Sequence, residues 1–181
     1  MISRSVSPVC WTLGLAAALA APSASGSTLH VGAATVSITP EKPVALDGQM
    51  STRIAREVES ELQANAVAME SRDGDNPLDQ AVFVACDIVY VTEEVRARAR
   101  ALLGERIPDF DAGKFIVSAT HTHTAPVMRE RWYAYDIPDE GVMRAPEYVE
   151  FLVQRLGDAV VKAWKSRKRG AVSWTYGHAV V

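Results

Sequence analysis

"QAVFVACDIVYV", residues 80 to 91, is the stretch on which the fold turns. It is a nearly continuous apolar run, broken only by Gln80 and Asp87. Such a run suits a strand covered on both faces. Thr92 then predicts a helix N-cap, with Glu93 and Glu94 in the first turn, where the helix dipole favours acids. The helix is expected through "EEVRARARALLGERI" and must stop near Pro108. "KFIVSAT", residues 114 to 120, reads as the next strand.

Upstream, "STLHVGAATVSITP" (27 to 40) reads as an opening strand closed by Pro40, and "EKPVALDGQM" (41 to 50) as turn-rich. "STRIAREVESE" fits neither template. "LQANAVAME" (62 to 70) alternates as a strand, with Leu62, Ala64, Ala66 and Ala68 on one face. "SRDGDNP" predicts a hairpin with a long loop.

Downstream, Val149, Leu152, Val153, Leu156, Val160, Ala163 and Trp164 recur at helical spacing and form one apolar stripe. Pro146 fits the first turn of that helix and Gly170 its stop. Lys165, Arg167, Lys168 and Arg169 crowd its end, as charge matched to the dipole. "AVSWTYGHAVV" (171 to 181) is expected to be a last strand. Strand, strand, strand, helix, strand, helix, strand make an α/β domain with a mixed sheet and flanking helices.

The chain has 181 residues, 48% of them hydrophobic, which suits one globular domain with a core. Its net charge of −3 gives no basic surface for nucleic acid. Residues 1 to 26, "MISRSVSPVCWTLGLAAALAAPSASG", carry an early arginine, an apolar run and small residues at the end. This is the pattern of a secretory signal peptide, and it implies export to the periplasm or the extracellular space. The run is short for a bilayer span, which needs about 20 apolar residues. Residues 27 to 181 are then the exported domain. Cys10 leaves with the signal, and Cys86 stays behind in an apolar setting as a small core residue. The ending "GHAVV", still apolar, reads as a strand that continues, so the chain is expected to be the N-terminal part of a longer protein.

Two of the four histidines stand together in "SATHTHTAP", residues 118 to 126. If the backbone stays extended, His121 and His123 face the same side. Both imidazoles then point into a cleft at the C-terminal edge of the sheet, where open α/β sheets bind ligands. Imidazole is a ligand for zinc and its neighbours, and a catalytic zinc keeps about three protein ligands and an open position. The other reading of the pair is a polar loop whose side chains bond to the backbone. Asp87 also has two readings. One is a buried carboxylate that orients a zinc-bound histidine; the other is a turn or cap residue before the Thr92 helix. Trp132, Tyr133 and Tyr135 form an aromatic group in the loop after the motif, which packs the loop or lines a pocket mouth. His30 and His178 have no partner at ligand spacing.

Following the strand "KFIVSAT", "SATHTHTAP" resembles the Thr-His-Thr-His-Ser-x-Pro motif of the neutral/alkaline non-lysosomal ceramidase family. "LHVGAATVSITP" is similar to that family's opening strand, and "QAVFVACDIVYV" to its apolar strand ending in an Asp-containing turn. The likeness covers residues 29 to about 127. It implies a zinc-dependent hydrolase of amide bonds acting on ceramide or a related amide or ester. It also implies a lipid-amide or other small-molecule substrate and peripheral contact with a membrane surface. By the resemblance, His121 matches a zinc ligand and His123 a histidine lining the same active site. The family's other ligands, a second histidine, a glutamate and a tyrosine, fall beyond Val181. The segment "VMRERWYAYDIPDEG" departs from the family's Gly-rich turn and changes the pocket rim. A second reading of the chain is a truncated or degenerate, non-catalytic secreted domain of the same fold. A complete (β/α) barrel is disfavoured, since it needs about 250 residues.

Overall fold

The computed structural model describes residues 26–133, 135–138 and 140–177. The signal-peptide segment, apart from Gly26, and His178 lie outside the described residues. In chain order the elements are β1 (Thr28–Ser37), β2 (Val44–Ala45), β3 (Ile54–Ala55), β4 (Gln63–Asp73), β5 (Asn76–Cys86), α1 (Glu93–Arg106), β6 (Phe115–Ala119), α2 (Ala145–Lys165) and β7 (Lys168–Gly170). Short 3-10 turns occupy Ala112–Lys114 and Glu130–Trp132. Among the described residues no helix is long and apolar enough to cross a membrane.

Five strands form a mixed sheet in the order β6-β5-β4-β1-β7, and β2 and β3 make a small antiparallel pair. Within this sheet, among the described residues, only β5 and β6 run parallel, because a helix, α1, joins them and returns the chain to the same end. The hairpin of β4 and β5 is tighter than its sequence predicts. Both strands extend until Asp73 pairs with Asn76, and Gly74, at φ 59°, makes the turn that L-residues resist. Most of "SRDGDNP" is therefore ladder and not loop.

Both helices pack on one face of the sheet. Ala64, Ala66 and Ala68 of β4 are buried there with Val82, Val84 and Cys86 of β5, Val95, Ala99 and Leu103 of α1, and Leu152, Leu156 and Val160 of α2. The alanine row lets α2 lie close. At Gly32 of β1 an added Cβ would stand 2.1 Å from the Ala163 carbonyl oxygen, so the end of α2 rests on the strand backbone. The opposite face is open, with Val67, Phe83 and Ile116 at 38%, 42% and 48% exposure. The expectation that β5 is covered on both faces is thus corrected. Its burial alternates along Val82, Phe83, Val84, Ala85 and Cys86, the period-2 signature of one covered face.

The helices start as their sequences dictate. The Thr92 hydroxyl accepts from Val95 N–H at 3.1 Å, which caps α1. Pro146 lies in the first turn of α2. The capping residue Arg144 offers α2 no side-chain acceptor, and Glu130 takes that part, its Oε1 accepting from Ala145 N–H at 2.9 Å. The end of α2 needs correction. The helix stops at Lys165, and Ser166 caps it. The last strand among the described residues is the basic Lys168–Gly170, paired with Leu29 to Val31, and residues 178–181 of the expected strand lie outside them. Residues 171–177 form no strand, and Trp174 and Tyr176 there are exposed.

Candidate metal-binding histidine site

The C-terminal ends of β5 and β6 lie side by side, with Cys86 opposite Ala119. The chain leaves β6 at Thr120, whose N–H donates to the Cys86 carbonyl at 2.9 Å, and His121 N–H donates to the Ile88 carbonyl at 3.0 Å. The backbone does not stay extended as the sequence alone implies. His121 has φ 65°, the only non-glycine positive φ among the described residues. A side chain in this left-handed region carries a conformational cost that histidine bears better than most.

The two imidazoles nevertheless converge. Their Nε2 atoms are 3.4 Å apart, and their rings meet edge to face at 5.0 Å between centroids. His121 Nδ1 lies 2.7 Å from the Val89 carbonyl oxygen. A carbonyl only accepts, so Nδ1 carries the proton, and Nε2 of a neutral His121 presents its lone pair. An imidazole oriented by a backbone carbonyl on its far nitrogen is the usual arrangement of a metal-binding histidine. Two nitrogens each about 2.0–2.1 Å from a zinc ion at the tetrahedral angle stand about 3.4 Å apart. The observed spacing fits that requirement, and both histidines are exposed to an incoming ion.

Even two imidazole ligands would not complete a zinc shell. Among the described residues no group of three or more His, Cys, Asp or Glu side chains could hold a metal. Asp87 approaches the pair indirectly. Its Oδ2 accepts from Gln63 N–H at 2.9 Å and its Oδ1 from the Thr120 hydroxyl at 3.2 Å. It ties the start of β4 to the residue before His121, and it holds the loop more than either ring.

His123 is held by a different part of the chain. The turn after β2 brings Gly48 against its ring, and the Gln49 side-chain amide donates to its carbonyl oxygen. Next to this turn Tyr90 is half-buried. Burial, with the Asp47 carboxylate adding to it, pushes its phenol up to about 12. The Arg129 guanidinium lies 5.8 Å from the centre of the same ring. The sequence marked Asp47-Gly48 as a turn, but nothing local ties that turn to a histidine more than seventy residues away.

Other residues singled out in the sequence stand apart from the pair. Cys86 is fully buried, and burial pushes its thiol up to about 12, so it is a core residue and a poor nucleophile. Tyr133 and Tyr135 stack edge to face at 5.5 Å, and the Tyr133 hydroxyl donates to the Leu46 carbonyl at 3.3 Å. His30 faces another cleft, beside Arg72, Trp164 and Arg167. A cleft of about 510 Å³, with Leu46, Arg53 and Ile54 in its wall, reaches Thr124 and Pro126 of the histidine loop; neither histidine lines it.

No family model matches the chain, and no curated protein does. Among solved structures it is similar to the neutral ceramidase from Pseudomonas aeruginosa, with a TM-score of 0.66 and 20% identity over 80% of this chain and 23% of that one. It is similar as well to a ceramidase complexed with C2, with a TM-score of 0.62 and 19% identity over 80% of this chain and 22% of that one. The chain thus spans less than a quarter of the length of either structure. At this identity the likeness is one of fold, carried by the mixed sheet and the two helices laid on it. Over most of its length, this chain has the fold of part of a neutral ceramidase.

Proposed function

We propose that this chain supplies one corner of a zinc-dependent hydrolase of amide bonds, with ceramide or a related lipid amide or ester as substrate. The observation that carries the proposal is the His121 imidazole, whose Nδ1 is held at the Val89 carbonyl so that Nε2 presents its lone pair, with His123 Nε2 3.4 Å from it. In this reading His121 holds the metal through Nε2. His123, with its own Nε2 beside that atom, orients the carbonyl group of the substrate or carries a proton to it. When bound, zinc supplies a Lewis acid that polarises the carbonyl and lowers the pKa of a water molecule. The further ligands come from residues other than those described. The neutral-ceramidase-like fold supports the substrate class, and the signal-like N-terminus supports an exported protein that meets its substrate at a membrane surface. By itself the chain is not expected to turn over substrate.

The test is metal binding. In the full-length protein, competition with a chromophoric chelator should show about one zinc ion per chain, lost in His121→Ala. Full retention of zinc in His121→Ala overturns the ligand assignment. A second reading, a non-catalytic domain of the same fold, draws on the absence, among the described residues, of a group of three or more side chains that could hold a metal. It predicts no zinc binding above that of an unrelated protein with exposed histidines.

A further inference from the structure

We propose that the turn Asp47–Gly48–Gln49 is a positioning element that sets the distance between the two imidazoles, with Gly48 as the floor under the His123 ring and Gln49 as its clamp. The expectation for zinc rests on the reading above; the positioning itself does not.

Gly48 has φ 73°, and a Cβ built on it would lie 2.7 Å from Cγ, 2.8 Å from Nδ1 and 2.9 Å from Cδ2 of His123. Three atoms of one ring at such distances mean that the imidazole lies over the α-carbon of residue 48. Carbon atoms in ordinary contact stand about 3.5–4.0 Å apart, so any side chain at 48 pushes the ring away. The Gln49 amide is fixed at both ends. Its Nε2 donates to the His123 carbonyl, and its Oε1 accepts from Arg53 Nη1 at 3.1 Å. A guanidinium only donates, which settles the orientation of the amide.

The turn is in turn fastened to the histidine loop. Asp47 N–H donates to the Ala125 carbonyl and Val127 N–H to the Ala45 carbonyl, each at 2.9 Å, while Leu46 N–H, bonded to the Arg53 carbonyl at 2.9 Å, holds the hairpin itself. Asp47 Oδ1 accepts from Gly48 N–H at 2.8 Å and closes the turn on itself. The β2–β3 hairpin and residues 123–127 are therefore tied together. His121 belongs to another piece, since its backbone and ring bond to Ile88 and Val89 beyond β5. The 3.4 Å spacing is thus an assembly of two bodies, and the 47–49 turn is where one of them is gauged.

The test compares Gly48→Ala and Gln49→Leu with Gly74→Ala. Gly74 also has a left-handed φ, 59°, but nothing lies within 4 Å of its added Cβ. It therefore reproduces the backbone strain without the collision. In the metal-free protein, proton NMR should show a cross-relaxation contact between the rings of His121 and His123 in the wild type and in Gly74→Ala. It should be lost or strongly weakened in Gly48→Ala and Gln49→Leu, while the amide shifts of the sheet stay in place. Zinc binding, which the reading above gives to His121, should be unchanged in all three variants. An inter-ring contact that survives both substitutions overturns the proposal. If Gly48→Ala does not fold, Gln49→Leu, which leaves the backbone alone, carries the decision. If the wild type binds no zinc, the metal reading fails, and the ring contact still decides the positioning.

Discussion

The two ends of the central sheet both carry polar clusters, and they are built in opposite ways. At the end where β4 runs out, the buried carboxylate Glu70 accepts from Arg72 Nε and Nη2 at 2.8 and 2.6 Å, and from Arg167 Nε at 3.1 Å. The Arg167 guanidinium sits 3.2 Å above the Trp164 ring. The Trp164 indole N–H donates to Asp109 at 3.1 Å. Apart from Arg167 Nη1, which is buried without a partner, this cluster satisfies itself. At the other end the two histidines are exposed, one on a left-handed backbone, with their Nε2 atoms turned toward each other. A polar cluster that closes on its own groups contributes to stability. The exposed pair is the end to which the proposed function gives a ligand.

Substitutions can break this contrast. The largest effect is expected from Glu70→Ala, which leaves the Arg167 and Arg72 charges without their shared partner. It should cost about 3 kcal/mol in urea denaturation and leave zinc affinity unchanged. His121→Asn should do the reverse. Asparagine tolerates a positive φ, so stability should stay within about 0.5 kcal/mol. Zinc affinity measured by chelator competition should nonetheless drop about 100-fold. A loss of stability in His121→Asn as large as that in Glu70→Ala would place both ends in the same class.

Smaller effects sharpen the picture. Thr92→Ala removes the cap of α1, the helix that spans the two ends, and should lower the stability by about 1 kcal/mol. The Arg144 guanidinium, with Ala145 N–H, holds the Glu130 carboxyl below its ordinary 4.5. A carboxyl lowered in the folded state adds stability above its unfolded pKa and loses it as pH falls through the folded value. Stability followed by circular dichroism should therefore decline as pH drops below about 4.5, and Glu130→Gln should flatten that limb. The smallest effect belongs to the open face between the ends. Ile116→Thr should change stability by no more than about 0.5 kcal/mol and zinc affinity not at all.

The sequence made the elements legible where one period dominated. The stripe from Val149 to Trp164 could only be a helix with one buried side, and it is. The run at 80–91 was ambiguous in a particular way, because Val82, Phe83, Val84, Ala85 and Cys86 are all apolar and only packing tells which of them are covered. The final strand was misplaced for a related reason. The β-prone Trp174 and Tyr176 find no partner strand, whereas Lys168–Gly170 needs only its backbone to extend the β1 edge, and basic side chains are common on edges. At the site, the histidine pair could be read as a pair. Its φ, the Val89 carbonyl and the Gly48 floor could not, since each depends on segments distant in sequence meeting in space. The separate roles of His121 and His123 came from the resemblance alone, although the two rings do turn out to be held by different elements.

That division has a thermodynamic side. A ligand that bridges both imidazoles also bridges the sheet and the β2–β3 hairpin, so its occupancy and the docking of the hairpin are linked equilibria. Whatever loosens the hairpin weakens the ligand by the same free energy, and the ligand repays it by protecting the hairpin amides from exchange. The 3.4 Å gap between two nitrogen atoms is then a joint between two parts of the molecule.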